Sequence, residues 1–382
     1  MVAAAGGRSQ EQRAPAHEVE TVRYWGEDEF AASAGLWNEL CARSSADPLF
    51  MGWEWHWLWW RHHKASLDGT LSLIACYSGP VLVGLAPLYL RRATLRTAVR
   101  VDQCEFLGST FRDGRGVFSE YLDVIAEPGY ADAVAAAVAR QLRADGRWAS
   151  LVCGVTPRDG IAAGMVRRHF SDRHLVREVD PMEAHRTALT ADFSSYLGSL
   201  SGTVRRKVWN QRKKLGETKV ILAVESDIAE VLDLLETWQV DRWGGSTPVG
   251  TARGFYEELA RRLHEAGALR LSTLVVDGKP LSVMFNARLG AAEYNLMSAF
   301  NPAAPAGVSP TYLHFGYVLE AACQDGVSWF DFLAGQGRRR QYKRDFVTTE
   351  RPLVTLQVVR ARPLKSLYLL HRWLGLGKPT TA

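Results

Sequence analysis

The stretch LSLIACYSGPVLVGLAPLYLRR, from Leu71, has a counterpart late in the chain, LRLSTLVVDGKPLSVMFNARLG from Leu269. Each is an alternating apolar run, a glycine-centred turn (Ser78-Gly79-Pro80 or Asp277-Gly278-Lys279-Pro280) and a second apolar run. Period-two alternation around such a turn predicts a β-hairpin. The surroundings repeat as well. Helical patterns at Asp28–Arg43 and Trp53–Lys64 precede the first hairpin, and Asp227–Trp243 and Thr251–Ala266 precede the second. A helix at Ala131–Arg143 and a strand at Trp148–Cys153 follow the first, and a helix at Thr311–Asp325 and a strand at Ser328–Leu333 follow the second. Each half therefore reads helix, helix, hairpin, further strand, helix, strand. That order predicts an α/β chain of the α+β type, built from two tandem units. Each unit is a mixed, mostly antiparallel sheet flanked by helices with one crossover. The 382 residues suffice for two such domains. The expected division is a disordered lead-in over 1–20, one unit over 21–190, a second over 191–360, and a basic amphipathic tail over 361–382.

Composition narrows the function classes. Hydrophobic residues make up 47% and charged residues 23%, a globular balance with core to bury. The net charge of +5 suits an anionic partner without identifying one. No apolar run reaches membrane-spanning length. The N-terminal MVAAAGGRSQEQRAPAHEVE lacks the apolar centre of a secretion signal. Five cysteines, Cys41, Cys76, Cys104, Cys153 and Cys323, are scattered, and none are paired at metal-ligand spacing. Reduced, mostly buried thiols in a cytoplasmic protein are the simplest reading. The adjacent His62 and His63 cannot ligate together from one helix face, and no metal site is expected.

The stretch FDFLAGQGRRRQYKRDF, from Phe330, ends an apolar strand on Asp331 and continues into a basic cluster. A carboxylate in such a strand is costly unless bonded, so Asp331 either anchors structure or faces a site. The helix at Asp227–Trp243 carries Ile228, Val231, Leu232, Leu235 and Trp238 at core spacing. The helix at Thr311–Asp325 has Ser309 and Pro310 at its start, after the small-residue loop Asn301–Val308. That corner is either an ordinary loop or an anion site built on free backbone N–H groups. Arg205, Arg206, Lys207, Arg212, Lys213 and Lys214 surround Trp209 on a basic amphipathic helix. Such a run is either a solvated face or a surface for phosphates or nucleic acid. In PLFMGWEWHWLWWRHH, Trp53, Trp57 and Trp60 share one helix face and Trp55 and Trp59 another. Core packing accounts for the first group, and a ligand groove or domain interface for the second. The C-terminal LKSLYLLHRWLGLGK is a packed terminal helix or a membrane-surface segment.

Taken in order, PLFMGWEWHWLWW, GLAPLYLRR, EFLGST with SEYLDVI, the basic helix, SAFNPAAPAGVSP, DFLAG and YK resemble the CelD-like acyltransferases of the GNAT superfamily. These proteins are associated with cellulose or exopolysaccharide biosynthesis. The resemblance runs from about Pro48 to Pro352. Such proteins are related to Fem-type peptidyltransferases and carry two GNAT-like domains. The resemblance implies transfer of an acyl group from a thioester, commonly acyl-CoA, to an amine on a small molecule or glycan. The donor would enter where Glu293–Phe300 and Ser328–Leu333 splay apart. Its pyrophosphate would lie near Gly307, Ser309, Thr311 and Tyr312. The resemblance further implies that Asp331 orients or deprotonates the amine and that Tyr342 protonates the leaving thiolate. Lys343 would hold an anionic group or pair with Asp331. Arg205 and Arg206 would contact donor or acceptor, with Asp123 and Trp53 lining the substrate cleft. The Gly-rich phosphate signature of GNAT proteins is absent before Tyr312, and Pro310 removes one amide donor there.

Three functions compete. One is an N-acyltransferase with a CoA or acyl-carrier-protein thioester as donor. Another is a Fem-like transferase taking its acyl group from charged tRNA. The third is a non-catalytic binding protein of polysaccharide export.

Overall fold

The structure, a computed structural model, describes residues 18–94, 100–110, 117–244, 247–334, 341–346 and 349–373. The first part runs β1 (Thr21–Trp25), α1 (Glu27–Ala32), α2 (Ala34–Ala42), α3 (Trp53–Leu67), β2 (Gly69–Leu71), β3 (Leu73–Ser78), β4 (Val81–Ala86), β5 (Leu88–Thr94) and β6 (Arg100–Phe106). It continues through β7 (Ile125–Ala126), α4 (Ala131–Ala144), β8 (Ser150–Pro157), α5 (Ile161–His169) and β9 (Leu175–Ala188). Then come α6 (Phe193–Ser199), α7 (Gly202–Val208), β10 (Thr218–Leu222), α8 (Ile228–Trp243), α9 (Pro248–Thr251) and α10 (Arg253–Glu265). The chain closes with β11 (Leu269–Val276), β12 (Lys279–Leu289), β13 (Ala292–Phe300), α11 (Pro310–Gln324), β14 (Trp329–Asp331), α12 (Gln341–Arg344), β15 (Thr349–Val359) and α13 (Arg362–Trp373).

Both repeated hairpins form, as β3–β4 and β11–β12. In the second, Asp277 (φ 48°) and Gly278 (φ 73°) take the two left-handed positions of a tight hairpin turn. The hairpins lie in different sheets. A four-stranded sheet has the order β1-β3-β4-β7, and an eleven-stranded sheet runs β10-β11-β12-β13-β14-β9-β15-β8-β6-β5-β2. Strand β15, late in the sequence, therefore lies between β9 and β8, antiparallel to both. One large core spans both halves, and a smaller one gathers Val208, Phe315, Leu319, Phe330, Phe332 and Phe346 around α11.

Several local expectations change. The helix expected over Asp28–Arg43 is broken at Ser33 into α1 and α2. The basic amphipathic helix ends at Val208, and Asn210–Lys214 forms a 3-10 turn. On α3 the buried tryptophans are Trp55, Trp59 and Trp60, whereas Trp53 and Trp57 are half-buried and stack on each other at 5.5 Å. Core packing thus takes Trp55 and Trp59, the face assigned to a groove or interface, together with Trp60 from the face assigned to the core. Trp55 does serve an interface, because it meets Phe255 of α10 edge-on at 5.2 Å. At the C-terminal helix, Leu364 packs with Ala93, Val101 and Val359. Cys76, Cys104, Cys153 and Cys323 are buried, Cys41 is half-buried, and all five are free.

Candidate active site

The parallel pair β13–β14 is short. Ala292, Glu293 and Tyr294 face Trp329, Phe330 and Asp331, and there the pairing stops. Beyond Asp331 the chain turns away through Leu333, whose φ of 59° is left-handed. Among the described residues, strand β13 has no further partner on that side up to Phe300, and Leu296, Met297 and Ser298 become half-exposed. Across β12, the register jumps from Phe285–Met297 to Asn286–Asn295, which leaves Leu296 as the extra residue of a β-bulge. A bulge beside a strand edge re-aims backbone groups, and the unpaired edge needs partners. The divergence is thus a slot walled by β13 and ending on Asp331.

Asp331 is 6% exposed. Its carboxylate accepts the Tyr121 hydroxyl at 2.8 Å and the Leu333 N–H at 2.7 Å. Tyr121 belongs to the first half and sits at φ 56°, a costly conformation for a bulky residue. Two further bonds join the halves here. The Tyr294 hydroxyl donates to Asp47 at 3.0 Å, and the Ala334 N–H donates to Glu120 at 2.6 Å. Asp47 also accepts the N–H groups of Leu49 and Phe50. Three acids, Asp47, Glu120 and Asp331, and two phenols therefore meet where the halves join. Burial raises the Asp331 carboxyl above the usual range, against the pull of the Leu333 N–H, Tyr121, and the Lys343 and Arg186 charges. Asp47 is pushed up to about 6 by burial and by the Asp331 charge. Tyr121 and Tyr294 are raised by burial and by neighbouring carboxylates, so both phenols keep their protons and donate.

The shift on Asp47 has a measurable consequence for stability. Its folded pKa of about 6 exceeds the unfolded value near 4. The folded state then holds the proton that the unfolded state loses, and stability falls as pH rises from about 4 through 6. Buried His56 and His314, each pushed down to about 3 by burial, act with the opposite sign. The test therefore compares variants. In urea titrations at pH 4.5 and 7.5, Asp47→Asn is expected to gain on wild type by roughly 2–3 kcal/mol over that interval. An equal difference at both values would refute the shift.

The residues singled out in the sequence fall in three places. Lys343 lies close to Asp331, whereas Tyr342 packs against α11 in the smaller core. Lys343 Nζ donates to the carbonyls of Phe332 and Leu333 at 2.5 and 2.9 Å, which fastens the turn after β14, and its charge favours ionised Asp331. Tyr342 packs against Phe315 and Tyr312, and burial pushes its phenol up to about 12. That lies far above a thiol. The Tyr342 phenol therefore keeps its proton.

Gly307, Ser309, Thr311 and Tyr312 form the corner before α11, but the corner is partly filled. Gln211 donates to the Gly307 carbonyl and accepts the Ser309 N–H, both at 2.9 Å. Ser309 stands at the cap position without a side-chain cap bond. With Pro310 lacking an N–H, Thr311 and Tyr312 carry the remaining donors of that turn. Tyr312 donates its hydroxyl to Asp345 at 2.6 Å, and Lys207 lies 4.5 Å over its ring. Arg205 is half-buried and Arg206 exposed on α7.

Asp123 and Trp53 have structural work instead. Asp123 accepts the N–H groups of Val124, Ile161 and Ala162 and so caps α5, while burial pushes it up to about 6. Trp53 donates to the Phe30 carbonyl at 2.8 Å within the first half's aromatic cluster. Gly335 and the arginines at 338–340 lie outside the described residues. On the opposite face of β9, Glu183, His185 and Glu350 approach one another closely. There Arg344 already bridges the two carboxylates, at 2.9 Å to Glu183 and 3.2 Å to Glu350.

Residues 202–344 match the acetyltransferase (GNAT) domain family. No curated protein matches the chain. Among solved structures, FemX superposes with a TM-score of 0.60 at 12% identity, covering 91% of this chain and 99% of its own. A conserved protein of unknown function from Bacteroides thetaiotaomicron superposes at 0.54 and 13% identity, covering 89% of this chain and 100% of its own. These likenesses show the fold.

Proposed function

We propose that the acetyltransferase (GNAT) domain of residues 202–344 transfers an acyl group from a thioester to an amine in the slot that ends on Asp331. The observation that carries this reading is the divergence of β13 from β14 immediately after the Tyr294–Asp331 pair. The unpaired edge of β13 offers backbone groups to an extended, amide-bearing donor, much as an added strand would use them. In the reaction the amine nitrogen bonds the thioester carbonyl carbon and the C–S bond breaks. Asp331 receives the proton that the amine gives up, and its raised pKa makes it a stronger base than an exposed aspartate. Tyr342 donates a hydrogen bond to the departing thiolate, which takes its proton from solvent. Acyl-CoA is the donor favoured here, with an acyl carrier protein as the other thioester source. The acceptor is an amine of a small molecule or glycan. The CelD-like motifs suggest a role in polysaccharide or cell-envelope synthesis.

A charged-tRNA donor is favoured by one observation. Arg206, Lys213 and Lys214 are exposed beside α11, and none forms a hydrogen bond or ion pair among the described residues. Salt separates the two readings. Binding that contacts six to ten phosphates weakens about 10³–10⁵-fold between 50 and 200 mM salt. A CoA thioester, a small anion with few phosphates, is expected to weaken far less. Titration of acetyl-CoA, a long-chain acyl-CoA and charged tRNA at both salts, with thiol release read for the CoA donors and loss of the aminoacyl ester for tRNA, decides between them. Saturable CoA binding with release of free thiol supports the proposal. Binding without turnover of any donor would return the chain to a non-catalytic role. Among the described residues no helix is long and apolar enough to cross a membrane.

A further inference from the structure

We propose that the acceptor amine carries a carboxylate beside it, as an α-amino acid does, and that Arg186 and Arg351 hold that carboxylate. This rests on the reading of Asp331 as the acylation site.

Arg186 is the register partner of Asp331 across β9 and β14, so the two side chains share a face. Arg186 also opposes Thr349 on β15, which places Arg351, two residues on, diagonally across the same face. The guanidinium of Arg186 lies 4.8 Å over the Trp329 ring, and that of Arg351 lies 5.2 Å over the Tyr121 ring. The two cations therefore flank the Tyr121–Asp331 hydrogen bond.

Each feels a nearby acid, Arg186 the charge of Asp331 and Arg351 that of Asp123, but neither is held in a direct pair. Among the described residues, Arg186 and Arg351 make no hydrogen bond or ion pair, and Arg186 Nε is buried without a partner. The acids that could pair with them are committed elsewhere: Asp331 to Tyr121, Asp47 to Tyr294, and Glu120 to the Ala334 N–H. By contrast Arg344, on the other face, is bound to both Glu183 and Glu350. Two like charges on neighbouring strands repel unless an anion lies between them. A planar guanidinium with free N–H groups is suited to a carboxylate, which it grips by paired hydrogen bonds. Directly opposed residues hold their Cβ atoms only about 5 Å apart. A ligand that gives its amine to Asp331 and its anion to Arg186 is therefore expected to hold the two groups close together.

The test is binding by the whole chain, measured by calorimetry without any donor. The probes are L-alanine and L-lysine, each against its methyl ester, with inorganic phosphate and O-phosphoethanolamine alongside. The free acids of at least one pair are expected to bind tenfold or more tightly than the ester. Arg186→Gln and Arg351→Gln are each expected to erase that preference, with circular dichroism confirming that the variants fold. Equal binding of acid and ester, tighter binding of the phosphorylated amine, or preference surviving in both variants would overturn the assignment. Thiol release with the same amines reports separately on acyl transfer. Turnover indifferent to the carboxylate sinks only the acceptor class, and carboxylate-dependent binding without turnover sinks only the reaction.

Discussion

Asp331→Asn is expected to lower kcat for acyl transfer by about 10²–10⁴-fold, the usual contribution of a positioned general base. The substitution keeps one oxygen for the Leu333 N–H, and its amide NH2 takes the place of the oxygen that accepted the Tyr121 hydroxyl and can donate to that hydroxyl instead, so the turn after β14 is retained. It removes the basicity that burial confers. Steady-state thiol release across pH provides the check. In the wild type the rate should fall on acidification, as Asp331 and its neighbour Asp47, at about 6, take up protons. In the variant the residual rate should lose the part of that limb that Asp331 supplies. A variant with wild-type kcat would make Asp331 an anchor and move the chemistry elsewhere in the slot.

The second large effect concerns stability. At the crossing of α7 and α11, a Cβ on Gly316 would lie 2.2 Å from the Val208 carbonyl oxygen and 3.1 Å from its carbonyl carbon. Both are backbone atoms, so nothing flexible can give way. Gly316 sits within α11, where helix propensity alone favours alanine by about 1 kcal/mol. Packing opposes it, because overfilling a tight contact costs roughly 1–3 kcal/mol. Gly316→Ala is therefore expected to destabilise by about 1–3 kcal/mol in denaturant titration, a sign opposite to propensity. It should also weaken donor binding, since α7 holds Lys207 over Tyr312. Unchanged or increased stability would show that the helices do not cross as closely as described.

Much of the frame could be read from the chain. The hairpins are marked by alternation and by the Asp277-Gly278 turn, and the start of α11 by Pro310. Asp331 stood out because a carboxylate in an apolar strand demands a reason. Its companions did not. Asp47 immediately precedes the tryptophan-rich stretch, Glu120 and Tyr121 lie inside SEYLDVI, and Tyr294 lies in a strand already expected beside the slot. What makes them a site is contact between residues 210 and 247 positions apart, which no local period encodes. The α3 tryptophans show a related limit. A helical period separates two faces but does not say which meets the core when aromatic residues populate both. The capping of α5 by Asp123 was hidden for another reason, because a short acid that caps a distant helix has no local signature.

The position of β15 bears on how the molecule comes into being. Residues 349–359 emerge from the ribosome after both strands that they bridge. Until then β8 and β9 each offer an open edge, and unfilled edges invite pairing with other chains. The first half cannot close its sheet during synthesis, however early its own residues appear. A duplication that looks divisible on paper is tied shut by one late strand. Cutting the chain between its repeats would leave the first half without the strand that β8 and β9 share.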